Sequence, residues 1–111
     1  MTAVIKSSQE IGSIMKEGRR TATPFFSLIY KELTEEGSGE GRVAYIAGRK
    51  NGNAVWRNKA KRKLRAAWQQ QEGVLAHYDI LLVAHRRIVK YGANEIAQTL
   101  NDALVGQGLL Q

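Results

Sequence analysis

Apolar and polar residues near the start of the chain recur with the period of one short helix. Ser7 and Glu10 have the spacing of a capping box, with Ser7 as the N-cap. Three apolar residues then follow at helical spacing: Ile11, Ile14 and Met15. Gly18 comes next, and we expect it to end the helix in the left-handed conformation that glycine adopts easily.

The following stretch carries two strand patterns separated by a polar segment. Residues 19–33 are rich in aromatic and aliphatic side chains, with Pro24 at the start of the best run. Residues 34–41 are polar and rich in glycine, which is typical of a hairpin loop. Residues 43–48 again alternate in the manner of a strand. We therefore expect this second strand to pair with the first.

The second half of the chain predicts a helix, a strand and a helix. Asn51-Gly52 is a turn signal, and Asn53 is placed as the N-cap of a helix that runs to about Gln71. Residues 79–84 form a short apolar run, which predicts a buried strand. Asn94 is the expected cap of a last helix, whose inner face carries Ile96, Ala97, Leu100, Ala103 and Leu104. Gly106 and Gly108 are expected to end this helix.

These elements predict one domain over residues 1–111 with an α+β fold. The architecture is a two-layer sandwich of helices on a small mixed β-sheet, in the order α-β-β-(β)-α-β-α. The chain lacks cysteine, which excludes disulfides, thiolate metal sites and a cysteine nucleophile. Its longest unbroken apolar run, 80–84, is too short to span a bilayer, and no signal-peptide pattern opens the sequence. We expect a soluble, cytoplasmic protein.

Positive charge is concentrated in one segment of the chain. The sequence has 17 basic and 10 acidic residues, a net charge of +7. Residues 41–71 hold nine of the basic residues and no acidic one, so the remainder carries a slight negative excess. Like charges held close together repel, and a bound polyanion removes that repulsion. The segregation therefore indicates binding to nucleic acid or to an anionic membrane surface.

Most of these cations fall on the helix predicted after Asn53. One stripe of this helix is apolar and suits packing on the sheet: Trp56, Ala60, Leu64, Ala67 and Trp68. An adjoining arc is basic and polar: Arg57, Asn58, Lys61, Arg62 and Arg65. Lys59 and Lys63 lie on the other flank. The first turn places cations where the helix dipole disfavours them, and a bound phosphate would relieve that cost. With Arg49 and Lys50 before it, this segment predicts a phosphate-binding surface.

The same segment is similar to the signature of the bacterial ribonuclease P protein family. The residues that carry the resemblance are Gly52-Asn53-Ala54-Val55-x-Arg57-Asn58-x-x-Lys61-Arg62-x-x-Arg65. The similarity extends to the first helix and to three stretches that resemble the family's strands, 26–30, 43–50 and 79–84. It therefore covers nearly the whole chain.

The resemblance implies a function in tRNA maturation. In this family the protein binds a large catalytic RNA, and that RNA with its magnesium ions cuts the 5′ leader from precursor tRNA. The protein itself then supplies no catalytic residue, no metal site and no cofactor. The family fold also implies a left-handed crossover through the long helix. By the same resemblance the residues that contact the catalytic RNA are Arg49, Lys50, Asn53, Arg57, Asn58, Lys59, Lys61, Arg62 and Arg65.

The family also holds the leader of precursor tRNA in a cleft between the first helix and the sheet. The candidate residues for that cleft are Ile11, Met15, Phe26, Tyr30 and Tyr45. Ile11 and Met15 stand where the family usually presents aromatic rings, so an aliphatic contact replaces base stacking there. His85 stands where the family has an arginine after the strand at 79–84.

Two other functions compete with this interpretation. One is a ribosomal-type protein that scaffolds RNA without a role in cleavage, and the other is a membrane-surface protein that uses the basic helix. The pairing of Arg57 with Asn58 in the signature favours ribonuclease P over the first. The narrow apolar stripe suits packing on a sheet better than insertion into lipid, which argues against the second.

Overall fold

The protein's structure is a computed structural model that describes residues 3–33, 41–74 and 76–110, apart from the side chain of Ala3. The strands are β1 (Ala3–Val4), β2 (Arg19–Ala22), β3 (Phe26–Glu32), β4 (Arg42–Ile46) and β5 (Tyr78–Ala84). The helices are α1 (Ser8–Glu17), α2 (Ala54–Gln69) and α3 (Ala93–Gly106), with short 3-10 turns at Arg49–Asn51 and Arg86–Lys90. The α+β class is confirmed. β1 is not predicted from the sequence, because a strand of two residues is too short to show an alternating pattern.

The strands form one mixed sheet in the order β1-β4-β5-β3-β2. β4 pairs in parallel with both β1 and β5, while β3 pairs antiparallel with β5 and with β2. The expected pairing of β4 with β3 is therefore wrong, because β5 lies between them. β5 has consecutive apolar residues that are buried on both faces of the sheet, which suits a central strand. The hairpin loop predicted over 34–41 lies, except for Gly41, outside the described residues.

The sheet separates two apolar clusters. α2 and α3 cover the larger cluster on one face, where Leu28 and Leu82 are fully buried. α1 covers the smaller cluster on the other face, which contains Ile14, Ile29 and Leu81. Because side chains alternate along a strand, neighbours such as Leu28 and Ile29 belong to opposite faces. The helices thus bury both sides of the sheet.

The start of α1 agrees with the sequence prediction, but its end differs. Ser7 caps the helix, since its hydroxyl accepts a hydrogen bond from the Glu10 amide at 3.3 Å. Gly18 has φ −73°, which is not left-handed, and its N–H donates to the Ile14 carbonyl at 2.7 Å. A Cβ on Gly18 would lie 2.6 Å from that carbonyl oxygen and 2.9 Å from the carbonyl oxygen of Tyr30. Glycine is therefore required here by the close approach of α1 to β3.

Ion pairs fasten both ends of α1 to the sheet. Near its start Glu10 pairs with Arg42, which also binds the buried Asp79 through two hydrogen bonds of 2.8 and 3.2 Å. At its end Glu17 accepts a hydrogen bond from Lys31 at 2.7 Å, which lowers the pKa of the Glu17 carboxyl. The hydrogen bond to Asp79 likewise raises the pKa of Arg42 above its usual value. Arg42 therefore belongs to a structural ion pair, although it lies in the acid-free segment.

The caps of α2 and α3 are only partly as predicted. Asn53 caps α2, since its side-chain oxygen accepts a hydrogen bond from the Trp56 amide at 3.0 Å. α3 begins one residue before Asn94, and its N-cap is Gly92, which makes no side-chain capping bond. The predicted Asn94 cap is therefore wrong, whereas Gly108, with φ +72°, lies just past the end of α3 as expected.

Candidate nucleic-acid interface

The basic arc predicted on α2 lies on the outside of the molecule. Four of its side chains line one shallow depression of about 390 Å³: Asn58, Lys61, Arg62 and Arg65. All four are exposed, while Arg57 is half-buried. Ala60, Leu64 and Ala67 are buried below them, so packing against the core fixes which side of α2 faces outward. We call Arg57, Asn58, Lys61, Arg62 and Arg65 together the cationic arc.

The cationic arc carries charge that the described part of the chain leaves uncompensated. The ion pairs found there join Lys31 to Glu17 and Arg42 to two carboxylates, and none involves the arc. The first turn of α2 has no acidic residue. Positive side chains therefore add to the partial positive charge of the helix N-terminus, and together they favour a bound anion.

Arg65 is held over an aromatic ring of the sheet. Its guanidinium carbon lies 5.6 Å from the centroid of the Tyr45 ring, which is within the range of a cation–π contact. Burial raises the pKa of the Tyr45 hydroxyl above its usual value. Tyr45 thus supports the position of Arg65 from below, and both belong to the face of the sheet that α2 covers.

The turn before α2 explains the first residues of the signature. A Cβ on Gly52 would lie 2.7 Å from the Cβ and Cγ atoms of Trp56, so glycine lets the indole pack against the turn. The indole Nε1 donates to the carbonyl of Arg86 at 2.9 Å. Arg49 and Lys50 are exposed in the adjacent 3-10 turn. This segment therefore combines a rigid support with two cations near the helix start.

Three further residues complete the description of α2. Lys59 is exposed on the other flank, and the ammonium group of Lys63 donates to the carbonyl of Tyr91. Val55, to which the sequence prediction gives no contact, is 74% exposed in the first turn of α2. Its position off the apolar stripe was the signal available in the sequence. It offers an apolar contact beside the charged residues.

The five residues predicted for the leader cleft do not come together. Ile11 and Met15 pack on the cluster beneath α1. Phe26, Tyr30 and Tyr45 belong to the opposite face, beneath α2 and α3. Phe26 is 0% exposed and Tyr30 8%, so neither ring presents a surface for stacking with RNA. The prediction of one cleft containing all five residues is wrong, because the aromatic rings point to the other side of the sheet.

A different set of residues lines the surface beside α1. Ile46 and Val83 are half-buried there and pack with Ile11 and Met15 on the same cluster. We call these four residues the α1 groove. None of the side chains in this cluster is aromatic. This surface therefore offers apolar contacts without an aromatic ring.

The described residues contain no cluster of His, Cys, Asp or Glu side chains that could hold a metal ion. Over residues 3–33, 41–74 and 76–110 there is also no helix of the length and apolarity needed to cross a membrane. Asp79, the buried carboxylate found in this part of the chain, is already bonded to Arg42.

Comparison with known proteins gives one consistent family. Residues 1–106 match the family model for Ribonuclease P. A ribonuclease P protein component from Oceanobacillus iheyensis is 32% identical over 108 residues, which cover 96% of this chain and 88% of the relative. One from Symbiobacterium thermophilum is 32% identical over 111 residues, covering 96% and 92%.

Solved structures show the same fold at lower identity. The RNase P protein of Staphylococcus aureus superposes with a TM-score of 0.80 at 24% identity, with 100% of both chains covered. The RNase P protein of Thermotoga maritima gives a TM-score of 0.75 at 21% identity, covering 91% of this chain and 94% of that one. Helices and mixed sheet are therefore arranged as in these proteins.

Proposed function

The chain belongs to the ribonuclease P protein family and thus to tRNA processing, and we propose that it binds the catalytic RNA through the cationic arc. The observation that carries this proposal is the depression on α2 lined by Asn58, Lys61, Arg62 and Arg65. Arginine side chains suit phosphates because their planar donors form paired hydrogen bonds. RNA docking also removes the repulsion among neighbouring cations of the arc.

Chemistry within this assembly is assigned to the RNA and its magnesium ions. The protein supplies positive charge and shape, and it holds no cofactor of its own. The residues of the arc are guanidinium, ammonium and amide groups, which bind phosphates but do not form a carboxylate site for catalytic metals. The protein therefore assists cleavage by stabilising the folded RNA and by positioning the substrate.

We assign the leader of precursor tRNA to the α1 groove. Ile11, Met15, Ile46 and Val83 provide apolar contact for bases or riboses without a ring on which to stack. Arg20 lies in register with Ile29, whose side chain faces α1, so this exposed arginine borders the same face. The groove therefore offers a sequence-tolerant contact for a single strand.

A reconstitution assay tests the proposed function. The catalytic RNA of a related ribonuclease P is combined with precursor tRNA, with and without this protein, over a range of magnesium concentrations. We expect leader removal to require the RNA and to proceed at lower magnesium when the protein is present, because the arc replaces part of the screening by cations.

Two outcomes of that assay contradict the proposal. Cleavage by the purified protein alone assigns the chemistry to the protein. Binding of the RNA with no effect on cleavage at any magnesium concentration supports a scaffolding protein instead.

Substitution of Met15 tests the leader site. Met15→Phe is expected to strengthen the binding of precursor tRNA by the holoenzyme by about fivefold, because it adds a ring on which a base can stack. Met15→Leu conserves the aliphatic character and serves as the matched control. Affinities are measured for precursor tRNA and for mature tRNA without a leader. An equal gain in affinity for both RNAs, or no gain for either, would show that the leader does not bind the α1 groove.

A further inference from the structure

The ring of Tyr45, on β4, lies beneath one end of the cationic arc. Its centroid is 5.6 Å from the guanidinium carbon of Arg65. We propose that Tyr45 is a positioning residue for RNA binding: its ring holds the guanidinium of Arg65 ready for a phosphate of the catalytic RNA. The inference rests on the proposed function of the cationic arc and deepens it, because it names a residue that acts on the RNA only through another side chain.

The sheet holds the Tyr45 ring in place. Tyr45 is in register with Leu82 of the central strand β5, and Leu82 is fully buried in the larger apolar cluster. The Tyr45 ring is half-buried and packs against this same cluster. Packing against a core restricts the rotamers of a side chain. The ring is therefore a fixed support for a side chain that lies over it.

The charge of Arg65 is also felt at the tyrosine. Burial raises the pKa of the Tyr45 hydroxyl, and the nearby guanidinium of Arg65 opposes this rise without cancelling it. Tyr45 is therefore a neutral phenol at physiological pH, and its ring face attracts the cation through the ring quadrupole.

The guanidinium of Arg65 remains available to RNA while it contacts the ring. The side chain is exposed and lines the depression on α2. It forms no ion pair with a carboxylate of the described residues. A cation–π contact needs no hydrogen-bond acceptor, so the N–H groups can still form paired bonds with phosphate oxygens. The ring thus restrains Arg65 without competing with the RNA.

Restraint matters because an arginine side chain is long and flexible. It loses rotamer freedom when it is fixed on a phosphate, and this loss weakens binding. Where the ring of Tyr45 already limits the rotamers of Arg65, part of the loss has occurred before the RNA binds. Arg62 provides the contrast, since it lines the same depression but makes no cation–π contact with a ring among the described residues. We therefore expect the contribution of Arg65, and not that of Arg62, to depend on Tyr45.

The first test measures the contact in the free protein. NMR spectra compare the side-chain protons of Arg65 with those of Arg62 in the wild type, in Tyr45→Phe and in Tyr45→Leu. We expect ring-current shifts of the Arg65 protons in the wild type and in Tyr45→Phe, and their loss in Tyr45→Leu. Arg65 protons that keep their shifts in Tyr45→Leu contradict the proposal, because another group then causes those shifts.

The second test is a double-mutant cycle on RNA binding. The affinity for the catalytic RNA of a related ribonuclease P is measured for Tyr45→Leu alone and in combination with Arg65→Ala or with Arg62→Ala. We expect Tyr45→Leu to weaken binding by about threefold in the wild type and in Arg62→Ala, and to have no effect in Arg65→Ala. Tyr45→Phe keeps the ring and should bind as the wild type does.

Three outcomes overturn the positioning role. An equal loss in all three backgrounds shows that Tyr45 acts independently of Arg65. A loss in Tyr45→Phe as large as in Tyr45→Leu assigns the effect to the hydroxyl. Wild-type affinity in Tyr45→Leu shows that the ring does not assist binding. Circular dichroism checks the fold of each variant, and Tyr45→Ile, which also suits a strand, replaces Tyr45→Leu if the latter does not fold.

The same measurements separate this inference from the proposed function. If Arg62→Ala and Arg65→Ala bind the catalytic RNA more weakly while Tyr45→Leu binds it as the wild type does, the positioning role fails and the function stands. If none of the three variants changes the affinity, both are contradicted.

Discussion

Replacement of Arg62 and Arg65 by alanine is expected to weaken binding of the catalytic RNA by about tenfold for each residue. Both guanidinium groups line the depression on α2, and no ion pair with a described carboxylate offsets their loss. Each lost phosphate contact should also lower the slope of log affinity against log salt by about one unit. Dissociation constants measured from low to high salt check both effects.

Controls for these variants address charge and geometry separately. Lys6→Ala/Arg19→Ala removes two exposed cations outside the arc and should leave the affinity nearly unchanged. Arg65→Lys keeps a cation near the ring of Tyr45 but loses the planar fork, so its affinity should lie between those of wild type and Arg65→Ala. If both alanine variants keep the wild-type affinity and salt slope, the cationic arc does not form the RNA interface.

Replacement of Arg42 by leucine is expected to lower the free energy of unfolding by about 3 kcal/mol. The variant leaves the Asp79 carboxylate, which is 4% exposed, without the guanidinium that donates two hydrogen bonds to it. A buried charge without a partner is strongly destabilising, whereas an apolar pair in its place is often tolerated. Urea unfolding followed by circular dichroism measures the change.

The double variant Arg42→Leu/Asp79→Leu tests the cause of that loss. It removes both charges together, so most of the lost stability should return. If the double variant is as unstable as Arg42→Leu alone, the destabilisation comes from lost packing and not from the unpaired carboxylate. RNA affinity of the folded double variant should match wild type, because neither side chain belongs to the arc.

The long helix could be predicted from the sequence almost completely. Its cap at Asn53, its buried stripe and its basic arc all depend on residues within four positions of one another. Local geometry fixes such features, since a helix places residues three and four apart on one face. The same holds for the cap at Ser7 and for the end of α3 at Gly106.

The arrangement of the strands could not be predicted in the same way. The apolar run of β5 was correctly expected to be buried, but its place between β3 and β4 depends on contacts between residues far apart in sequence. The alternation along a strand divides its side chains between the two faces of the sheet, but it does not show which helix covers which face. For this reason the sequence places Phe26 wrongly in the leader cleft. Phe26 lies on the face that α2 and α3 cover, whereas Ser27 and Val83 lie on the face that α1 covers.

The sequence predicts correctly that α1 ends at Gly18, but it does not predict the backbone conformation of this residue. Glycine after a helix most often indicates a left-handed residue, and this one has an extended backbone. Its role comes from the carbonyl of Tyr30, which approaches from β3. Likewise, Thr23 and Tyr91 meet in one pocket although they lie in different halves of the sequence. Such contacts appear only once the chain is folded.

Two side chains of α2 donate hydrogen bonds to the segment after β5: Trp56 to the carbonyl of Arg86 and Lys63 to the carbonyl of Tyr91. These bonds join α2 to the 3-10 turn Arg86–Lys90, which carries three exposed basic side chains. A helix of 16 residues is a stiff rod of about 24 Å. The exposed basic side chains of α2 and of the turn therefore keep a fixed separation. A ligand with two anionic groups contacts both sets of cations at once only when the spacing of those groups matches this separation.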